Sequence, residues 1–445
     1  MKDRLFEIWF SLRCGVGNRE FPQLLEHFGT PYDLYKADEN ELEGLPCSDR
    51  LKTRLADKSL SEATRIMEYC RETGVGILFW QDEDYPASLR PLRDPPVLLY
   101  YRGKLPDLTK RLCISVVGTR SMSEYGKRIA YRIGYELGAA GAVVVSGMAL
   151  GNDGVAAAGT ILSGGSTVAV LGCGIDVTYP REHGRLFTEI TSKGAVMSEF
   201  APGTPPEGKN FPIRNRIISG LSQGTVVVEG NLRSGALITA RTAILQGRDI
   251  YAFPGNVGET NSAGTNKLIS DGAAMILCAR DLLENYAFLY GDVLDMGKLT
   301  RAESRSDIDE AGLQRLGVCV RTEKPRGDAP SAYPAFVDHL KDRRREAPSD
   351  TRRERATSRA PKPRDPDASM PPKSVPARGD DSDRVLKSLT DTQRRIFEAL
   401  PLDHAVAIDY FTREGYSVGE IMATMTVLEI KGLTVTLPGG LYSRK

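Results

Sequence analysis

Apolar residues recur at helical spacing through the first 75 residues, as in LFEIWFSL (5–12) and FPQLLEHF (21–28). Between these runs lies Gly15-Val16-Gly17-Asn18, a short glycine turn. Helix, Gly-x-Gly turn, helix is the outline of a helix-hairpin-helix or SAM-like unit, whose turn can offer backbone N–H groups to a phosphate. Plain helical packing is the alternative. From residue 76 to about 290 the pattern changes. Short β-branched runs (LCISVVG, AVVVSG, STVAVLG, GAVMSEF, GTVVVEG, DIYAFPG) alternate with helical segments such as SEYGKRIAYRIGYELGAAG and SGALITARTAILQG. Continuous apolar strands separated by helices predict a parallel sheet covered on both faces, with right-handed crossovers. The predicted architecture is α/β, a doubly wound Rossmann-like core.

Residues 291–385 read as a linker. The stretch 341–385 carries 13 Lys/Arg, 9 Asp/Glu, many prolines and few large apolar residues. It buries too little surface to offset its ordering entropy, so it is expected to be disordered. Residues 386–445 return to globular patterning. SLTDTQRRIFEAL predicts a helix capped by Thr390 or Asp391, AIDYFTREGY a second, and SVGEIMATMTVLEIKG a third with Ser417 and Glu420 at capping-box spacing. LTVTL and LYSR, around Pro438-Gly439-Gly440, predict a hairpin. Three helices and a hairpin outline a winged helix.

Composition changes this picture little. A length of 445 residues suggests roughly two to four domains. The 59 basic and 58 acidic residues leave a net charge of +1, so any nucleic-acid site must come from local clustering. The seven cysteines (Cys14, Cys47, Cys70, Cys113, Cys173, Cys278, Cys319) form no CxxC pair, and His27, His183, His339 and His404 are scattered. That pattern predicts reduced core cysteines, no zinc site and no cofactor. The N-terminus does not read as a signal peptide, and no apolar run approaches the ~20 residues that span a bilayer. The expected location is the cytoplasm, without membrane contact.

Candidate chemistry gathers in the turns that follow the strands, where open α/β sheets bind ligands. The first, Gly118 to Gly126, joins a glycine to a hydroxyl-rich helix start suited to a phosphate, with Arg120 adding a guanidinium fork. It lacks the second and third glycines of GxGxxG, which argues against a dinucleotide. The second holds Ser146 and Gly147 for close backbone approach, and Asp153 as an N-cap or a catalytic acid. The third offers Arg181 as a phosphate candidate, with His183 read as a surface or capping residue more than a base. The fourth, Lys209-Asn210-Phe211-Pro212-Ile213-Arg214-Asn215-Arg216, interleaves three cations with a ring, a pattern suited to single strands. Internal carboxylate partners for Arg214 and Arg216 are the competing explanation. The fifth places Ser234 and Gly235 at a helix start after Glu229. Glu229 and Glu199 are conceivable general bases that buried pairing with arginine explains equally well. No nucleophile–base–orienter set is legible, which favours binding over catalysis and predicts no enzyme.

These residues resemble the DNA-processing protein A family, also called Smf. The matching runs are VVGTRSMSEYG, VVSGMALGNDG, VAVLGCGIDVTYP, FPIRNRIISGLS, VVVEGNLRSGALITA and GRDIYAFPGN…GTNKLI, with DEDYPASLRPLRDPPVLLYYRG as a lead-in. The resemblance is close over roughly residues 75–280. It implies a Rossmann-like core between flanking domains, and a single-stranded DNA binder active in natural transformation. It further implies dimerisation, protection of incoming strands and loading of the RecA recombinase; a single-strand binding protein is a further expected partner. The family's GSR arginine corresponds to Arg120, its basic residue after YP to Arg181, and its FPxRNR run to Phe211–Arg216. Departures are Thr119 for the usual serine, Asn152 inside the GID motif, and Ala157 where a histidine commonly stands. An alternative enzyme reading, a Rossmann-type nucleotide phosphoribohydrolase, lacks its PGGxGTxxE signature here. A recombinase scaffold with little DNA contact of its own is a third reading.

Overall fold

A computed structural model of the chain describes residues 4–318, 389–401 and shorter stretches up to 444. Two compact units are present, one carrying the residues described up to 318 and the other those from 389 onward. In the first, six helices come before any strand: α1 (Leu5–Cys14), α2 (Phe21–Phe28), α3 (Pro31–Lys36), α4 (Glu39–Glu43), α5 (Asp49–Ala56) and α6 (Ser61–Thr73). The two helices read from LFEIWFSL and FPQLLEHF are α1 and α2. Their apolar stripes bury Trp9, Phe10 and Phe21; Phe10 meets Phe79 and Phe21 meets Trp80 edge to face. The helical front therefore shares one hydrophobic cluster with the sheet that follows.

That sheet opens with β1 (Gly76–Phe79) and β2 (Leu98–Gly103). Then come β3 (Cys113–Val117), α7 (Glu124–Ala139), β4 (Val143–Ser146), α8 (Asn152–Leu162), β5 (Ser166–Val170), α9 (Gly184–Lys193) and β6 (Ala195–Ser198). The chain continues through α10 (Asn210–Leu221), β7 (Gly224–Val227), α11 (Gly235–Leu245), β8 (Asp249–Ala252), α12 (Ala263–Ser270), β9 (Ala274–Met275) and α13 (Ala279–Leu283). Strand order is β1-β2-β6-β5-β4-β3-β7-β8-β9. Pairing is parallel from β6 to β9, while β1 and β2 are antiparallel additions at the β6 edge. The doubly wound Rossmann-like expectation is met. Each predicted apolar run forms a strand, because β3, β4 and β7 are buried along their whole length. Strand order reverses between β3 and β7, the switch point at which such sheets leave a crevice.

Helices α7 and α8 cover one face with their backbones in near contact. A Cβ on Gly134 would come within 2.1 Å of the Ala156 carbonyl oxygen, and one on Gly159 within 2.4 Å of that of Tyr131. Glu136, wholly buried on α7, is held by Arg132 Nε (2.7 Å), the Ala279 amide (3.0 Å) and Ser306 Oγ (3.1 Å).

The linker expectation needs correction at its start. Residues assigned to it by composition form α14 (Met296–Glu303) and α15 (Glu310–Arg315). Leu299 and Leu313 are buried in the main cluster, and Lys127 on α7 pairs with Glu310 at 2.6 Å. Sparse leucines suffice here because a glycine-rich helix pair offers them a receiving surface. The disorder expected for 341–385 lies outside the described residues.

In the C-terminal unit, α16 (Asp391–Ala399) is capped by Thr390, in a capping box with Gln393. Strands β10 (Val406–Ala407), β11 (Thr434–Leu437) and β12 (Leu441–Arg444) form an antiparallel sheet of order β10-β12-β11. The hairpin read from LTVTL and LYSR is thus present, paired from Thr434–Arg444 to Leu437–Leu441. Within the two further helices read from sequence, Phe411, Ile421, Thr424, Met425, Val427 and Leu428 are helical, while Ser417 and Glu420 lie outside the described residues. Ala407, expected to begin the second of these helices, is strand instead, paired together with Val406.

Leu313→Ala is expected to destabilise the first unit by about 2–5 kcal/mol in urea unfolding, the cost of a core cavity. A change near zero would return residues 310–315 to a surface role.

Candidate nucleic-acid interface

The turns at the carboxyl ends of β3, β4 and β5 meet the start of α10. Arg120, on the first turn, is exposed and has no carboxylate at ion-pair distance among the described residues. Its guanidinium carbon stands 5.2 Å from the centroid of the Phe211 ring on α10. Tyr179, on the third turn, tilts against the same ring at 5.3 Å. Phe211 fits there because Gly172 has no side chain; a Cβ at that position would come 2.9 Å from the ring. Arg120 and the start of α10 at Phe211 therefore meet at one edge of the sheet. Arg181 is exposed two residues beyond Tyr179, and exposed Lys209 pairs with Glu207 at 2.6 Å, a surface contact worth little.

Beneath the ring the basic run turns inward, which corrects two expected contacts. Arg214 is 4% exposed. It donates from Nη1 to the carbonyls of Gly147 (3.1 Å) and Val170, and from Nε to Asn215 Oδ1 (3.2 Å). Its guanidinium carbon lies 5.9 Å from the Phe211 centroid. Burial lowers its pKa to about 10, against the opposing charge of Asp153, so it is still a cation at neutral pH. Arg216 is also buried and donates from Nη2 to both oxygens of Glu199 at 2.8 Å. Neither guanidinium forms part of the exposed surface; each holds α10 onto the strand ends. Asn215 is half-buried and committed to Arg214.

The backbone amides expected to receive phosphate are largely taken by internal carboxylates. Ser146 and Gly147 are buried, and the Gly147 amide donates to Asp153 Oδ2 at 2.9 Å. Asp153 therefore serves this turn and is not the N-cap of α8, a position held by Gly151. Burial raises the Asp153 carboxyl above its usual range, offset by Arg214 and by the turn amides. At the switch point, Glu229 accepts from the amide and hydroxyl of Ser123, at the N-terminus of α7. A carboxylate thus occupies the place a pyrophosphate takes in dinucleotide-binding folds. Gly118 is half-buried against the Asn152 side chain. Ser234 caps α11 through the Ala236 amide at 3.2 Å, and Gly235 is exposed at the helix start.

His183 is wholly buried, and its Nδ1–H donates to the Met148 carbonyl at 3.1 Å. Met148 is the one non-glycine residue with positive φ (52°) among those described, so this bond braces a strained turn. Desolvation lowers the imidazole pKa, against the bond to Met148. Sequence reasoning passed over Tyr179 and Gly172 as site residues. The aromatic beside Pro180 was the available signal for Tyr179, whereas the need for Gly172 appears only where α10 crosses β5.

Residues 76–287 match the family described as DNA recombination-mediator protein A. The DNA processing protein DprA of Bacillus subtilis is 39% identical over 220 residues, covering 49% of this chain and 74% of that protein. The DNA processing protein DprA of Streptococcus pneumoniae is 35% identical over 293 residues, covering 65% of this chain and 100% of that one. The X-ray structure of the Streptococcus pneumoniae protein superposes with a TM-score of 0.56 at 33% identity, covering 64% of this chain and 98% of that structure.

Two outcomes follow from the buried groups. Glu199→Gln removes the bidentate carboxylate from Arg216 and leaves it the longer ion pair with Asp94 at 3.6 Å, so it is expected to cost about 3 kcal/mol in denaturant unfolding, the low end for a broken buried pair. A depressed His183 pKa means the unfolded chain binds more protons than the native one once pH falls below about 6.5, the ordinary imidazole value. Stability contributed by neutral His183 is complete above that value and declines as pH falls through the window beneath it. His183→Asn keeps a donor but does not titrate, so its melting temperature should fall less over that window than that of the parent chain. Parallel curves would show that His183 does not set the slope.

Proposed function

The chain belongs to the DNA recombination-mediator protein A family, and from that premise we propose that it binds single-stranded DNA along the carboxyl ends of β3, β4 and β5. The observation that carries this reading is the exposed Arg120 guanidinium set over the Phe211 ring. A cation that tracks phosphate, placed beside a ring on which a base can stack, is the pairing single strands require. Arg181 and Lys209 extend the positive margin, and Gly118, Ser234 and Gly235 form its low backbone floor. The carboxylates that could act as bases are engaged in structural bonds, Glu199 with Arg216 and Glu229 with Ser123, which supports binding without turnover.

In this reading the protein acts in DNA processing in the cytoplasm, as its relatives' names state of them for processing. It protects incoming strands, works as a homodimer, and passes DNA to the RecA recombinase during natural transformation, with a single-strand binding protein as a further partner. The organisation proposed alongside is a helical front (1–75), a DNA-binding core (76–290), a linker ending at residue 385 and a winged helix (386–445).

Arg120→Ala should weaken binding to oligonucleotides of any sequence and flatten the dependence of log K on log salt by about 0.7, the loss of one single-strand phosphate contact. Phe211→Ala should cost about 1–3 kcal/mol of affinity while leaving the salt slope nearly unchanged. Fluorescence anisotropy against salt measures both. Wild-type affinity in the Arg120 variant would remove the site.

A further inference from the structure

We propose that the cavity at the α1–α2 turn is a second phosphate subsite, which carries the single strand from the rim of the sheet onto the N-terminal helices. The inference rests on the single-strand reading above and adds a place that it does not use. The cavity measures about 430 Å³, within the range of small-ligand sites and large enough for a phosphodiester with its sugar. Arg19, Arg50 and Arg54 line it, against a single carboxylate, Glu20. That carboxylate is already committed, accepting from the Ser48 amide (2.9 Å) and hydroxyl (3.0 Å).

Arg54 is preset by the turn itself. Gly15, at φ 78°, lets the guanidinium lie against the backbone; a Cβ there would stand 3.0 Å from Nη1. Arg54 donates to the carbonyls of Leu12 (2.6 Å) and Cys14 (3.2 Å), at the end of α1. A guanidinium has five N–H groups, so further donors are left for an incoming oxygen. Capping α1 accounts for Arg54 alone. Arg19 and Arg50 are exposed, and neither has a carboxylate at ion-pair distance among the described residues.

The cavity adjoins the interface already described. The Gly17 amide donates to Glu199 (3.3 Å), the carboxylate that holds Arg216 on α10. Ile213, exposed on α10 two residues after Phe211, lies against Gly17, at 3.9 Å from where its Cβ would stand. A strand stacked on Phe211 thus passes over Ile213 to reach the three arginines. The chemistry recognised is a continuous phosphodiester backbone, not a base.

The test compares the full chain with Arg19→Ala/Arg50→Ala on a short oligonucleotide of about six nucleotides and a long one of about twenty, chosen to cover the rim alone or the rim and the cavity. Both residues are exposed, so the double variant should melt with the parent. Binding of the long oligonucleotide should weaken roughly ten-fold and lose about 1.4 of salt slope, with the short one unaffected. Unchanged affinity for the long oligonucleotide, while Arg120→Ala still weakens both lengths, overturns the subsite and leaves the rim standing. An equal loss on both lengths overturns it too. A parent chain that binds neither length overturns the rim reading and this one together.

Discussion

The site depends on a guanidinium with no place in it. Arg214 sits under the Phe211 ring and bonds the carbonyls at the ends of β4 and β5. Those carbonyls lie where neighbouring strands terminate, so one planar cation ties α10 across the sheet's carboxyl edge. A neutral or flexible side chain could not satisfy two diverging carbonyls at once. Its charge persists in the interior because Asp153 stands nearby, itself held by the amide of Gly147. Removing any of these groups would leave another buried polar group unpaired, so the elements that present Phe211 are coupled.

The same economy shapes the rest of the edge. Glu229 fills the N-terminus of α7, Asp153 the turn after β4, and Glu199 the pocket between Arg216 and the Gly17 amide. With most of its amides satisfied internally, the edge leaves side chains above it, Arg120, Phe211, Arg181 and Lys209, to meet the strand in the proposed reading. Recognition of that kind suits a flexible polymer more than a small nucleotide, whose pyrophosphate would compete with fixed carboxylates for the helix ends.

The helical front joins this arrangement through packing and through hydrogen bonds that include Arg4 to Asp82, Arg102 to Tyr69 and the Gly17 amide to Glu199. Its aromatic residues share the core below the sheet, and the α1–α2 turn touches α10 beside Ile213. The strand-end margin and the arginine-lined cavity are therefore neighbours on a single rigid frame. Helices α14 and α15 brace α7 from the far side through Leu299, Leu313 and the buried Glu136.

Local pattern by itself determined the element types and the doubly wound class, because β-branched apolar runs and helical periodicity are properties of neighbouring residues. It also placed Arg120 and the 209–216 run at the ends of strands and the start of a helix. It could not separate Phe211, which reaches the surface, from Arg214 and Arg216, which do not. A cation's exposure depends on carbonyls and carboxylates from strands 17 to 67 residues away. For the same reason the sparse leucines of α14 and α15 read as linker. Whether they are buried depends on a surface made by α7 and α8, and only the tertiary structure brings those helices within reach.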